Sequence, residues 1–184
     1  RHPERAIFSS EGSPPWLIRI LVRPVHADEI AEDQQAAEVG TMSAAVEGAI
    51  EGIPSIGFSL CDDSIDADFT ASKKIAEIVA LNVLKNGLPK DVCLNVNIPK
   101  SKYEELKGIR VCRQAKANWV EELDERKDPG GKTYFWLTGK FENYDAGKED
   151  TDVWALENNY VSLVPVQFDM TAHSAIKELN TWKL

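Results

Sequence analysis

The sequence is poor in the residues on which several chemistries depend. Three cysteines, Cys61, Cys93 and Cys112, occur in 184 residues. Their odd number and apolar neighbours exclude a disulfide scaffold and predict buried, inert thiols in a reducing compartment. No cysteine has a nearby histidine, and no Gly-x-x-x-x-Gly-Lys loop is present. A covalent cysteine mechanism and a P-loop triphosphatase are therefore disfavoured. No apolar run approaches the ~20 residues that span a bilayer, and residues 1–15 lack the apolar centre of a signal peptide. Positive charge is short as well: 21 Lys and Arg face 30 Asp and Glu, a net charge of −9. Duplex nucleic acid needs clustered cations, so it is not expected as a partner. A small phosphorylated substrate remains open, because a divalent metal can neutralise phosphate in an acidic protein. A cytoplasmic protein without membrane association is expected.

What is present is a run of alternating helices and strands. In GTMSAAVEGAIEGIPSIGFSL (40–60), Thr41 is placed to cap a helix, with Met42, Ala45, Val46, Ala49 and Ile53 on its apolar face. Gly52 and Pro54 stop it, and SIGFSL reads as a strand covered on both faces. The polar loop CDDSIDADF follows. Thr70 or Ser72 is expected to cap a second helix through about Leu84, with Ile75, Ile78, Val79 and Val83 on the core side. KNGLP ends it. DVCLNVNIP is a second strand, with Leu94, Val96 and Ile98 on one face and Cys93, Asn95 and Asn97 on the other. This order predicts a doubly wound α/β layer. After Pro99 come a strand in GIRVCRQ, a long hairpin around RKDPGGK, a short helix in TDVWALENN, a strand in YVSLVPV and a C-terminal helix in TAHSAIKELNTW. We divide the chain into an atypical segment (1–39), a partial α/β core (40–116) and a hairpin with a C-terminal arm (117–184). In the first segment WLIRILV (Trp16–Val22) reads as a strand, and HADEIAEDQQAAEV as an exposed helix or a disordered leader.

Five motifs in order, GTMSAAVEG (40–48), GIPSIGFSL (52–60), LNVNIP (94–99), CRQA (112–115) and DTDVWALENNYVSLVPV (150–166), resemble the SurE survival-protein nucleotidases. The resemblance covers about residues 40–184. It implies a Rossmann-like domain with a swapped C-terminal arm, assembled as homodimers or homotetramers. It implies metal-dependent hydrolysis of nucleoside 5′- and 3′-monophosphates, with Mg or Mn as the cofactor. The family's metal ligands, an Asp-Asp-Gly after the first strand, a later Ser and an Asn in a Gly-Ile-Asn loop, have no counterpart here. Val39 stands where a Ser is usual. Residues 1–39 are too few to supply that half, and a frameshift, a gene fusion or a mis-assigned start is the expected origin. The alternative is a truncated, non-catalytic oligomerisation module.

The candidate site residues each carry a structural reading beside the functional one. Gly40 and Thr41 open a helix whose free N–H groups suit a phosphate; the other reading is a plain cap. Asn95 and Asn97 could orient site loops or be satisfied structural amides. Arg113 could balance substrate charge or pair with a carboxylate. Asp28, Glu29, Glu32 and Asp33 suit a hard metal by residue type but read better as a solvated acidic face, with His26 at the surface. Asp62 and Asp63 open a loop expected to be solvated and near the site mouth. His173 is expected at a surface or interface. Trp119, Tyr134, Phe135 and Trp136 suit base stacking or, better, a subunit interface. No metal ligand is assigned.

Overall fold

The computed structural model describes residues 41–62 and 64–183, together with the backbone of Ile20–Val22. The inward side of α1 (41–50) is made of Ala45 and Ala49, with Met42 and Val46 beside them. Small residues let this helix lie close to the sheet. The remaining elements are β2 (Ile56–Cys61), α2 (Thr70–Asn86), β3 (Val92–Pro99), a 3-10 turn (Tyr103–Glu105), β4 (Ile109–Val111), β5 (Ala117–Lys127), β6 (Thr133–Asn143), α3 (Asp152–Glu157), β7 (Val161–Gln167) and α4 (His173–Leu179), with β1 (Ile20–Val22) leading.

One sheet runs in the order β1-β2-β3-β7-β4, and β5-β6 form a separate hairpin. β1, β2 and β3 are parallel, β7 is antiparallel to β3, and β4 is parallel to β7. The strand expected in WLIRILV is present over Ile20–Val22 and pairs with β2. YVSLVPV inserts antiparallel beside β3, so the sheet is mixed rather than purely parallel.

The core sits between the sheet and α2. Ile56, Phe58 and Leu60 from β2, Leu94, Val96 and Ile98 from β3, and Val161 from β7 meet Ile75, Val79 and Val83 of α2. Burying a side chain the size of Phe58 stabilises by about 1.5–3 kcal/mol. On the opposite face α1 covers Cys93 and Val166. Ile78, expected on the core side, is 37% exposed. Ala71, Ser72, Ile75, Val79 and Val83 already fill the inward stripe, and Ile78 lies one helical step outside it. The cap also differs from expectation. Thr70 is helical rather than the cap, and its N–H donates to Asp68 Oδ1 at 2.9 Å. Gly87, at φ 70°, ends α2 with its N–H on the Val83 carbonyl.

Cys93 and Cys112 are buried as expected, but Cys61, last residue of β2, is exposed. Burial pushes the Cys93 and Cys112 thiols up, which removes them as nucleophiles at neutral pH.

Candidate functional site

The α1 side of the sheet is where small and polar residues collect. A Cβ on Gly57 would lie 2.8 Å from Met42 Sδ and 3.3 Å from Thr41 Cγ2. Glycine at this position lets the start of α1 settle directly on β2. Thr41 is buried there and already helical, so it is not itself the cap. Gly40 lies outside the described residues, as do Val39, Asp28, Glu29, Glu32, Asp33, His26 and Asp63.

Two rows run across this face beyond α1. Gly57 is paired with Asn95, and Asn95 with Val164. One step further along, Ser59 pairs with Asn97, Asn97 with Ser162, and Ser162 with Arg110. Ser59, Asn95 and Asn97 are half-buried, while Ser162 is fully buried. Among the described residues no hydrogen bond engages the side chains of Ser59, Asn95 or Asn97. The Ser162 hydroxyl has no partner either. The guanidinium of Arg110 is occupied differently, 4.6 Å from the Trp154 ring centre and 5.7 Å from that of Tyr160. Sequence reasoning singled out the two asparagines but missed Ser59 and Ser162. The signal available was a serine in the middle of an apolar strand; its register with an asparagine comes from the sheet pairing.

Arg113 is committed elsewhere. Its Nη1 donates to Asp145 at 2.6 Å and its Nε to Asp150 at 2.8 Å. Lys148 Nζ and the Lys116 N–H also donate to Asp145. Lys148, then Arg113 and the Lys116 N–H, hold the Asp145 carboxyl well below the usual range, while the Asp150 and then the Asp145 carboxylate hold the Arg113 guanidinium well above its own. The Arg113 and Asp150 backbones are stitched as well, and Thr151 caps α3 by accepting the Trp154 N–H. The CRQA and DTD motifs thus form one joint between β4, α3 and the root of the hairpin.

The acidic loop departs from expectation at its first residue. Asp62 is buried rather than solvated, 2.8 Å from Lys100 Nζ and hydrogen-bonded by Ser64. The Lys100 ammonium, followed by Ser64, lowers its pKa from 3.8 to about 2. The other described residues of the loop are exposed or half-buried. Among the described residues no group of three or more His, Cys, Asp or Glu could hold a metal. The donor set on the described face is amide and hydroxyl, which does not fit a Mg or Mn centre.

The hairpin carries its aromatics in the open. Trp119, Tyr134, Phe135 and Trp136 are all exposed, Trp119 and Phe135 on one face with Leu123 and Phe141, Tyr134 and Trp136 on the other. His173 opens α4, exposed, with Nε2 2.8 Å from Asp169 Oδ2. No helix among the described residues is long and apolar enough to cross a membrane.

Residues 31–121 match the family model described as survival protein SurE. A protein named 5′-nucleotidase SurE from Flavobacterium psychrophilum is 63% identical over 145 residues, which cover 79% of this chain and 56% of that protein. One of the same name from Christiangramia forsetii is 63% identical over 145 residues, 79% of this chain and 55% of its own length. The chain therefore spans little more than half the length of the curated relatives it matches. The crystal structure of the Sure protein from Aquifex aeolicus superposes with a TM-score of 0.68 at 35% identity, over 88% of this chain and 64% of that one. The layered sheet, its motif order and these matches agree: the chain belongs to the SurE family.

Proposed function

We propose that the chain acts as a nucleotidase, hydrolysing nucleoside 5′- and 3′-monophosphates to nucleoside and phosphate. The observation that carries this reading is the 63% identity over 145 residues to proteins named 5′-nucleotidase SurE. Those relatives favour it over the alternative of a non-catalytic assembly module.

In this reading the Gly40–Thr41 end of α1 receives the phosphate. A helix start offers unpaired N–H groups and a partial positive charge, which stabilise the charge that gathers on phosphoryl oxygens in the transition state. The close seat of Thr41 and Met42 on Gly57 supports it, because a rigid cradle needs no reorganisation during reaction. Asn95, beside Gly57, supports the site from the strand below. Arg113 supports it at a distance, by holding the joint between β4 and α3, its charge being matched by Asp145 and Asp150. A divalent cation, Mg or Mn, belongs to the reading through the family, and the described residues do not supply its ligands. The protein works in the cytoplasm as a homodimer or homotetramer. The bare faces of β5 and β6 support assembly through the hairpin and C-terminal arm (117–184), with 40–116 as the α/β core and 1–39 as a separate segment.

The test is phosphate release from a nucleoside monophosphate by the purified chain with Mn²⁺ present. Turnover that falls at least tenfold in Thr41→Ala, with unchanged circular dichroism, supports the reading. Absence of turnover with every nucleoside monophosphate tried would overturn it.

A further inference from the structure

Ser59, Asn97 and Ser162 lie side by side on three adjacent strands, on the α1 face, and none of their side chains has a partner among the described residues. Buried polar groups normally find partners, and a fully buried hydroxyl without one calls for an explanation. The row sits past the seat of Thr41 on Gly57, two residues along β2 and one strand across. At about 3.3 Å per residue and about 4.8 Å between strands, Asn97 is about 8 Å from that seat along the sheet. The sugar of a nucleotide whose phosphate sits at the helix start spans such a distance.

We propose that Ser59 and Asn97 form a shelf for the ribose hydroxyls of a nucleotide, with Ser162 as a positioning residue behind it. This rests on the nucleotidase reading. The chemistry selects the sugar: the row offers neutral hydroxyl and amide groups, and its one cation, Arg110, is stacked on Trp154 and Tyr160. A primary amide presents a donor and an acceptor in one plane, the complement of a vicinal diol in which one hydroxyl accepts and the other donates. Ser162, directly beside Asn97, donates its hydroxyl to Asn97 Oδ1 when the amide turns toward it. That fixes which end of the amide faces the ligand and satisfies the buried oxygen. Oδ1 keeps a second lone pair for the diol.

The experiment is calorimetric titration of the chain with adenosine 5′-monophosphate and with its 2′-deoxy and 3′-deoxy analogues. The ribonucleotide is expected to bind about fivefold more tightly than either analogue, the range of one neutral hydrogen bond. Asn97→Ala and, independently, Ser59→Ala bring that ratio toward one. Ser162→Ala reduces it, and Ser162→Thr restores it, a dependence that a merely structural serine would not show. Equal binding of all three nucleotides by the wild-type chain, or a ratio unchanged in both Asn97→Ala and Ser59→Ala, overturns the shelf while the nucleotidase reading stands. Failure to bind any of the three overturns both.

Discussion

The central sheet and the β5–β6 hairpin are built from similar residues and treat them in opposite ways. In β2, β3 and β7 most of the large apolar side chains are buried, with Phe58 1% exposed and Val96 0%. In the hairpin, Leu123 is 68% exposed and Phe135 61%. The register sorts Trp119, Leu123, Phe135 and Phe141 onto one face with the half-buried Leu137, so these apolar residues are ordered but largely uncovered. A two-stranded ribbon is marginal alone in water, and an ordered apolar face of this kind is what subunit interfaces use. The sheet covers its own apolar side chains, and the hairpin leaves most of its own exposed. Between them stands the Arg113–Asp145 joint, which ties the hairpin root to the sheet through charge rather than packing.

The contrast is broken most forcefully in the core. Phe58→Ala should cost about 3–5 kcal/mol, read from the urea midpoint. Gly57→Val adds bulk where α1 rests and should cost about 1–3 kcal/mol, with weakened nucleotide binding as its second signature. At the joint, Thr151→Ala removes a cap whose hydroxyl also donates to the Lys148 carbonyl, and should cost about 1–2 kcal/mol.

Acid separates the charged contacts from the packed ones. Asp62 titrates below its ordinary value when folded, so its contribution is complete above about pH 4 and lost as pH falls toward about 2. Asp145 is held lower still and acts in the same direction. Stability followed from pH 6 downward should therefore fall less steeply in Asp62→Asn and in Asp145→Asn than in the wild-type chain.

The smallest stability effect belongs to the hairpin. Leu123→Ser and Phe135→Ser should leave the urea midpoint within about 0.5 kcal/mol of wild type. They should nevertheless shift sedimentation toward smaller species. A midpoint that drops as far as that of Phe58→Ala would place these residues in a core of their own chain.

Much of this layout is legible in the sequence because period and punctuation agree. Strand β3 alternates Leu94, Val96 and Ile98 against Cys93, Asn95 and Asn97, and α2 repeats Ile75, Val79 and Val83 before Gly87. What was not legible depends on partners distant in the chain. Ile78 has helical spacing but lies outside the inward stripe of α2. Asp62 reads as a loop carboxylate until β3 brings Lys100 beside it. The antiparallel seat of β7, which places Ser162 against Asn97, follows from tertiary pairing that no local pattern encodes. Gly40, by contrast, was chosen from its motif and lies outside the described residues.

The central claim is that a nucleotide binds on the α1 face of the sheet and not on the aromatic hairpin. Amide hydrogen exchange with and without adenosine 5′-monophosphate tests it most directly. The account predicts added protection in the first turn of α1 and at the ends of β2 and β3, around Thr41, Ser59 and Asn97, with β5 and β6 unchanged. Protection confined to the hairpin, between Ala117 and Asn143, would contradict it.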